Sequence, residues 1–160
     1  MEVGSVSGKD RLGCGQSIMR ASASHKPLAT SSLYDGGMPP TRKSFGDFGE
    51  RVATAHLESK GYRVLQTKFR VREGEIDIVA LQDEVVVLVE VKARRGDGMG
   101  SALEGIGPRK ARRLLAASEE FAARHPELPP DRRIDLIAID LDAGGRVVSL
   151  QHVESAVEAG

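Results

Sequence analysis

From residue 44 onward the apolar positions recur with two distinct periods. Between Asp47 and Lys60, Val52, Ala53, Ala55 and Leu57 lie among charged residues. This pattern predicts a helix with Asp47 as N-cap and Gly61 as its left-handed terminator. YRVL then begins a strand. IDIVAL and VVVLVEVKA, separated by QDE, predict an antiparallel hairpin, although QDE lacks the glycine of the commonest two-residue turns. Both strands are apolar at nearly every position, which implies burial on both faces and helices above and below the sheet. After a glycine-rich stretch from Gly96 to Gly107, Pro108 suits the first turn of a second helix. Ala111, Leu114, Leu115, Ser118, Phe121 and Ala122 give it one apolar or small stripe, and HPELPP ends it. IDLIAIDL and RVVSLQHV, joined by DAGG, predict a last hairpin. The element order is αβββαββ, a three-layer α/β sandwich with a mixed sheet.

Residues 1–43 show neither period and are rich in Ser, Gly, Ala and Pro, so they are expected to be a disordered extension preceding a domain over 44–160. They contain no continuous apolar segment of signal-peptide type. Because the periodic pattern begins shortly after Met38, translation is expected to start there. No apolar run approaches the roughly 20 residues that cross a bilayer. The single cysteine, Cys14, rules out an internal disulfide and a cysteine-based zinc cluster, in keeping with a cytoplasmic setting.

Charge changes the picture locally. The chain carries 23 basic and 23 acidic residues, so net charge does not announce a nucleic-acid binder. Its basic residues nevertheless group at Arg70 and Arg72, at Lys92, Arg94 and Arg95, and at Arg109, Lys110, Arg112 and Arg113. The last group crowds a helix start, where the macrodipole disfavours cations. Phosphate would compensate, since that end also offers free N–H donors. With Arg94 and Arg95, these residues could hold a nucleic-acid backbone without reading its sequence. A solvated helix end is the alternative.

Glu90 and Lys92 interrupt the most apolar strand of the chain. With a turn centred on Asp83 and Glu84, Asp77 falls opposite Glu90 and Glu75 opposite Lys92; a loop one residue longer puts Asp77 on the other face. Two facing carboxylates repel unless a cation separates them. Mg²⁺ or Mn²⁺ takes such oxygen ligands and completes its shell with water and phosphate, and the Val91 carbonyl could add another oxygen. A lysine beside one ligand could orient or deprotonate an attacking water. Alternatively, Lys92 neutralises Glu75, Asp77 and Glu90 in a buried ion network. Glu50 shares a helical stripe with Ala53, Thr54 and Leu57 and so can face inward, or it completes a capping box with Asp47. Arg133 and Asp135 form a charge pair or mark a strand start. GIGP lacks the context of a nucleotide loop, and His25, His56, His125 and His152 lack ligand spacing.

The spacing from Asp77 to Glu90-x-Lys92 resembles that of the PD-(D/E)xK, or restriction-endonuclease-like, nucleases. FGDFGERVATAHLESKGYRVL, GEIDIVA, VLVEVKARR, PRKARRL and RIDLIAID together are similar to the bacterial YraN-like proteins, uncharacterised protein family 0102, related to archaeal Holliday-junction resolvases. The resemblance spans about Ser44 to Val153. It implies Asp77 and Glu90 as metal ligands, Lys92 as the residue associated with water activation, and Glu50 as an additional group of the metal site. Ile76 stands where the motif's name has Pro. Metal-dependent cleavage of DNA, with branched DNA as the candidate target, is the activity implied; a non-catalytic nucleic-acid-binding module on the same fold is the alternative. The junction-resolving relatives are dimers, so the resemblance also implies a homodimer.

Overall fold

The computed structural model describes residues 41–96 and 105–157. The expectations for residues 1–40 of the N-terminal extension, with Cys14, His25 and the Met38 start, and for 97–104 of the glycine-rich stretch, lie outside the described residues; residues 41–43, expected within the extension, instead cap and begin the first helix. The elements follow the expected order: α1 (Arg42–Ser59), β1 (Arg63–Arg70), β2 (Glu75–Gln82), β3 (Val85–Arg95), α2 (Pro108–Arg124), β4 (Arg132–Leu141) and β5 (Val147–Val157). They form one five-stranded sheet in the order β1-β2-β3-β4-β5, antiparallel except where β3 runs parallel to β4. A parallel neighbour cannot be reached by a tight turn, and the segment carrying α2 makes that crossover.

Burial on both faces of the central strands is satisfied by one helix on each. Phe48, Val52, Ala53 and Leu57 of α1 pack over Ile78, Ala80, Val87, Val89, Ile137 and Ile139. Leu114, Ala117 and Phe121 of α2 pack over Ile76, Val79, Val86, Leu88 and Ile134 on the other side. The chain is therefore an α/β three-layer sandwich of the nuclease-like kind.

The start of α1 differs from the sequence expectation. The helix begins at Arg42, with Thr41 as N-cap and its Oγ1 accepting from the Ser44 N–H at 3.2 Å. Asp47 is neither cap nor half of a capping box; it lies inside the helix and pairs with Lys68 Nζ at 2.5 Å. Gly46 and Gly49 obscured the first turns, because glycine weakens a helical pattern. At the other end the N–H of Gly61 goes to Glu58 O and that of Tyr62 to Leu57 O, with Gly61 at φ +86°, a Schellman termination at the expected glycine.

Gly49 marks the closest approach of α1 to the sheet: a Cβ there would stand 2.9 Å from Ala93 Cβ, whereas one at Gly46 would meet nothing within 4 Å. Glycine to alanine gains up to about 1 kcal/mol in a helix interior, while overpacking costs about 1–3 kcal/mol. Urea denaturation is therefore expected to show Gly46→Ala more stable than wild type and Gly49→Ala less stable. A stabilised Gly49→Ala would mean that α1 can lift from β3 without cost.

Candidate metal and nucleic-acid site

The β2–β3 turn is two residues long. Gln82 pairs with Val85, Asp83 adopts φ 50°, and the ladder runs back to Ile78 against Val89. One step further sets Asp77 against Glu90, the register that an even loop requires. The pairing changes character at that step. Ile78 belongs to the core under α1, yet Ile76 belongs to the core under α2. Residues two apart on a regular strand share a face, so β2 twists through Asp77. The Asp77 carboxylate consequently reaches across to β3, and its Oδ2 accepts the Val91 N–H at 2.7 Å. Because Val86 donates to Asp131 on the β4 side, alternation sends the Val91 N–H towards β2, where Asp77 stands in for a backbone carbonyl.

This position makes Asp77 the electrostatic centre of the cluster. Burial pushes its carboxyl up to about 7, with the Glu90 charge adding to the rise and the Val91 N–H and Lys110 opposing it. Glu50, on α1, is likewise raised by burial, with Lys68 opposing and Asp77 contributing. Lys68 Nζ lies 3.4 Å from Glu50 Oε2. Lys68 lies opposite Asp77 on β1 and has a left-handed φ of 55°, which breaks alternation there and turns its side chain towards α1. The sequence reading missed this lysine, and no spacing announces a left-handed residue inside a strand.

Glu50, Asp77, Val91, Lys92 and Arg94 line one open cavity of about 400 Å³ beside Phe45 and Gly46. Glu90 turns to the α2 side, buried, where Lys110 Nζ stands 2.7 Å from its Oε2. That buried oxygen accepts no aligned hydrogen bond, so the contact is Coulombic. Lys92 Nζ donates to the Gly105 carbonyl at 3.0 Å. Glu75 is not its partner; the Arg70 guanidinium holds Glu75 through two hydrogen bonds of 3.0 and 3.1 Å.

Among the described residues no three His, Cys, Asp or Glu side chains converge closely enough to enclose a metal ion. The donor chemistry nevertheless fits a hard divalent cation, which needs only one or two protein carboxylates. Asp77, half-buried, and Glu90, buried, are mutually repelling carboxylates, and Glu90 Oε2 beside Lys110 accepts no aligned hydrogen bond.

The basic residues divide into two groups. Arg113 Nε donates to Glu73 O at 2.7 Å, bracing the β1–β2 loop, and Arg95 Nε donates to Ala143 O at 3.0 Å, tying β3 to the β4–β5 turn. Both have structural work that their sequence context did not reveal. Arg109 and Arg112 are exposed at the start of α2, and Lys110 is bound to Glu90.

Arg133 and Asp135 do form a charge pair, within a second network reaching the turn end of the hairpin. Arg133 also donates to Tyr62 Oη at 2.7 Å and Gln82 Oε1 at 2.8 Å, and His152 Nε2 lies 2.9 Å from Asp135 Oδ2. Lys60 Nζ lies 3.5 Å from His152 Nδ1. The His56 ring meets that of His152 edge-on at 5.6 Å. Burial, then the charges of His152 and Lys60, lower His56 to about 4 from 6.5. The unfolded chain thus takes up this proton first, and stability is expected to fall as pH drops from about 6.5 towards 4. His56→Gln should flatten that part of the pH–stability profile measured by denaturant titration; an unchanged slope would assign it to other groups.

A model of the uncharacterised protein family UPF0102 matches residues 49–139. A UPF0102 protein of Roseiflexus castenholzii is 43% identical over 123 residues, 76% of this chain and 98% of its own length. One from Kineococcus radiotolerans is 40% identical over 113 residues, 70% and 92% of the two chains. One from Dehalococcoides mccartyi is 39% identical over 104 residues, 65% and 86%. The solved structure of Pyrococcus furiosus SfsA in complex with Ca²⁺ aligns over 73% of this chain and 63% of that one, at 16% identity and a TM-score of 0.27, too slight a likeness to bear on the site.

Proposed function

The chain belongs to the uncharacterised protein family UPF0102, and from that premise we propose that it is a nucleic-acid-binding, metal-dependent endonuclease that hydrolyses DNA phosphodiester bonds. One observation carries this reading: Asp77 leaves the strand ladder to line an open cavity with Glu50 and Lys92, near enough to Glu90 for that charge to raise its carboxyl. A purely structural site would gain nothing from holding two carboxylates in mutual repulsion.

Asp77 and Glu90, with Glu50 in support, would hold Mg²⁺ or Mn²⁺, which would supply Lewis acidity towards the phosphoryl oxygens. The Val91 N–H fixes the Asp77 carboxylate by hydrogen bonding to Oδ2 and leaves Oδ1 for other contacts. Lys92 lines the cavity with its Nζ donating to Gly105 O, and in this reading its ammonium would orient the attacking water and offset charge building on the phosphate. Arg94 lines the same cavity, and exposed Arg109 and Arg112 lie at the start of α2; they engage backbone phosphates on either side of the cut. Such contacts favour recognition by shape, so branched duplexes are the proposed targets. The second reading, a non-catalytic module, is favoured by the Lys110–Glu90 ion pair, which satisfies Glu90 internally. No described helix is long and apolar enough to cross a membrane; we place the protein in the cytoplasm, as a homodimer by analogy with junction-resolving enzymes.

Linear, flap and four-way-junction DNA incubated with Mg²⁺ or Mn²⁺ separate the two readings. Nicking that needs the cation and disappears in Lys92→Met, with DNA binding retained in EDTA, is the expected result. Salt-sensitive binding without cleavage of any substrate would favour the module, and cleavage surviving in Lys92→Met would sink the proposed site.

A further inference from the structure

Lys110 is the one basic residue at the start of α2 that reaches the acidic cluster. Its Nζ stands 2.7 Å from Glu90 Oε2, and the Glu90 side chain is only 10% exposed. The same lysine occupies the first turn of α2, where no acidic side chain offsets the macrodipole and Gly107 at the N-cap supplies no side-chain bond. It also lines an open hollow of about 480 Å³ with Gly107, Pro108, Arg109 and Arg113. The ammonium therefore has a buried carboxylate on one side and an anion-attracting basin on the other. A flexible four-carbon stem can carry the charge between them with little backbone movement.

We propose that Lys110 is the resident counter-ion of Glu90, and that a nucleic-acid phosphate docking at the start of α2 draws it away, so that nucleic acid and the divalent cation bind cooperatively. The inference rests on the metal-site reading above. A divalent cation and Lys110 compete for the same buried oxygen. Removing the lysine head alone leaves an uncompensated buried carboxylate, which is costly. Binding the cation alone strands the ammonium beside it. When a phosphate receives the ammonium as the cation reaches Glu90, each event removes the other's penalty. By linkage, the two ligands must then raise each other's affinity by the same factor. The device would load the cation chiefly on protein already seated on nucleic acid.

The test is calorimetric titration of Mn²⁺ into the EDTA-treated full chain carrying Lys92→Met, which keeps added DNA intact. With Lys110 present, a short DNA duplex is expected to raise Mn²⁺ affinity about tenfold. Lys110→Met should bind Mn²⁺ about tenfold more tightly without duplex and gain little when duplex is added. Lys110→Arg, which keeps the charge, should retain weak binding without duplex. The inference is overturned, with the metal site left standing, if Lys110→Met binds Mn²⁺ no more tightly than its parent. It is equally overturned if duplex leaves the parent's Mn²⁺ affinity unchanged, a result that needs no Lys110 variant to fold. Absence of Mn²⁺ binding in every protein would remove the metal reading and the inference together.

Discussion

Asp77→Asn is expected to abolish cation-dependent cleavage and, at the same time, to make the cation-free protein more stable. Cleavage should fall by roughly two orders of magnitude or more, the usual scale for removing a group that organises transition-state charge. The stability gain follows from the carboxyl's position. Asp77 is half-buried within reach of the Glu90 charge, and its pKa is pushed up to about 7 from 3.8. For an acid the sign is unambiguous: between those values the folded state holds the proton and the unfolded state has released it. Stability contributed by this group is therefore lost as pH rises from about 4 through about 7, and above that the ionised carboxylate costs the fold on the order of a few kcal/mol. Asparagine keeps an oxygen for the Val91 N–H but carries no charge. Thermal unfolding in EDTA should thus show Asp77→Asn well above wild type at pH 8, with the difference shrinking towards pH 4. Added Mn²⁺ should stabilise wild type and leave the variant unmoved. A variant less stable than wild type at pH 8 would mean that Asp77 serves the fold, and the ion-network reading would be the better one.

That outcome turns on a detail only half legible in the chain. Alternation and the length of QDE were enough to fix the two-residue turn and the register as far as Ile78 against Val89, and the apolar runs were enough to call for helices on both faces. They did not put Asp77 and Glu90 on one face, since Asp77 lines the cavity beside Phe45 and Gly46 while Glu90 turns to Lys110. Backbone ladders and binary patterning are local, repetitive constraints, so they survive in a one-dimensional string. The twist at Asp77 does not, because it arises from Ile76 choosing the core under α2 while Ile78 chooses the core under α1. The left-handed Lys68 opposite it is of the same kind. Basic residues were harder still: four candidates crowded at the start of α2 look alike, yet Arg113 braces a loop carbonyl, Lys110 holds Glu90, and Arg109 and Arg112 are exposed. A helix turns 100° per residue, so neighbours in sequence face different surroundings. The missed cap at Thr41 has a plainer cause, since two glycines broke the helical pattern just where it began.

Asp135 provides the largest expected loss of stability. Its side chain is fully buried, yet it accepts from Arg133 Nε at 3.1 and 3.2 Å, from His152 Nε2 at 2.9 Å and from the Ser155 N–H at 3.0 Å. Ser155 has φ 51° and lies where the β4–β5 register shifts between Ile134 and Leu136, so the carboxylate also fastens an irregularity of β5. Asp135→Ala would leave the Arg133 charge without its principal partner and three donors unmatched, a loss of about 3–5 kcal/mol. Arg133→Met should cost a comparable amount, because it leaves the carboxylate buried and under-compensated. Removing both removes the mismatch, so the double variant should lose clearly less than the sum of the two, with a coupling of about 1–3 kcal/mol in urea denaturation. Strict additivity would mean that Tyr62, Gln82 and Glu154 already satisfy Arg133 without Asp135. The pair would then be a crossing of two independent networks rather than the anchor between the hairpin turn and β5.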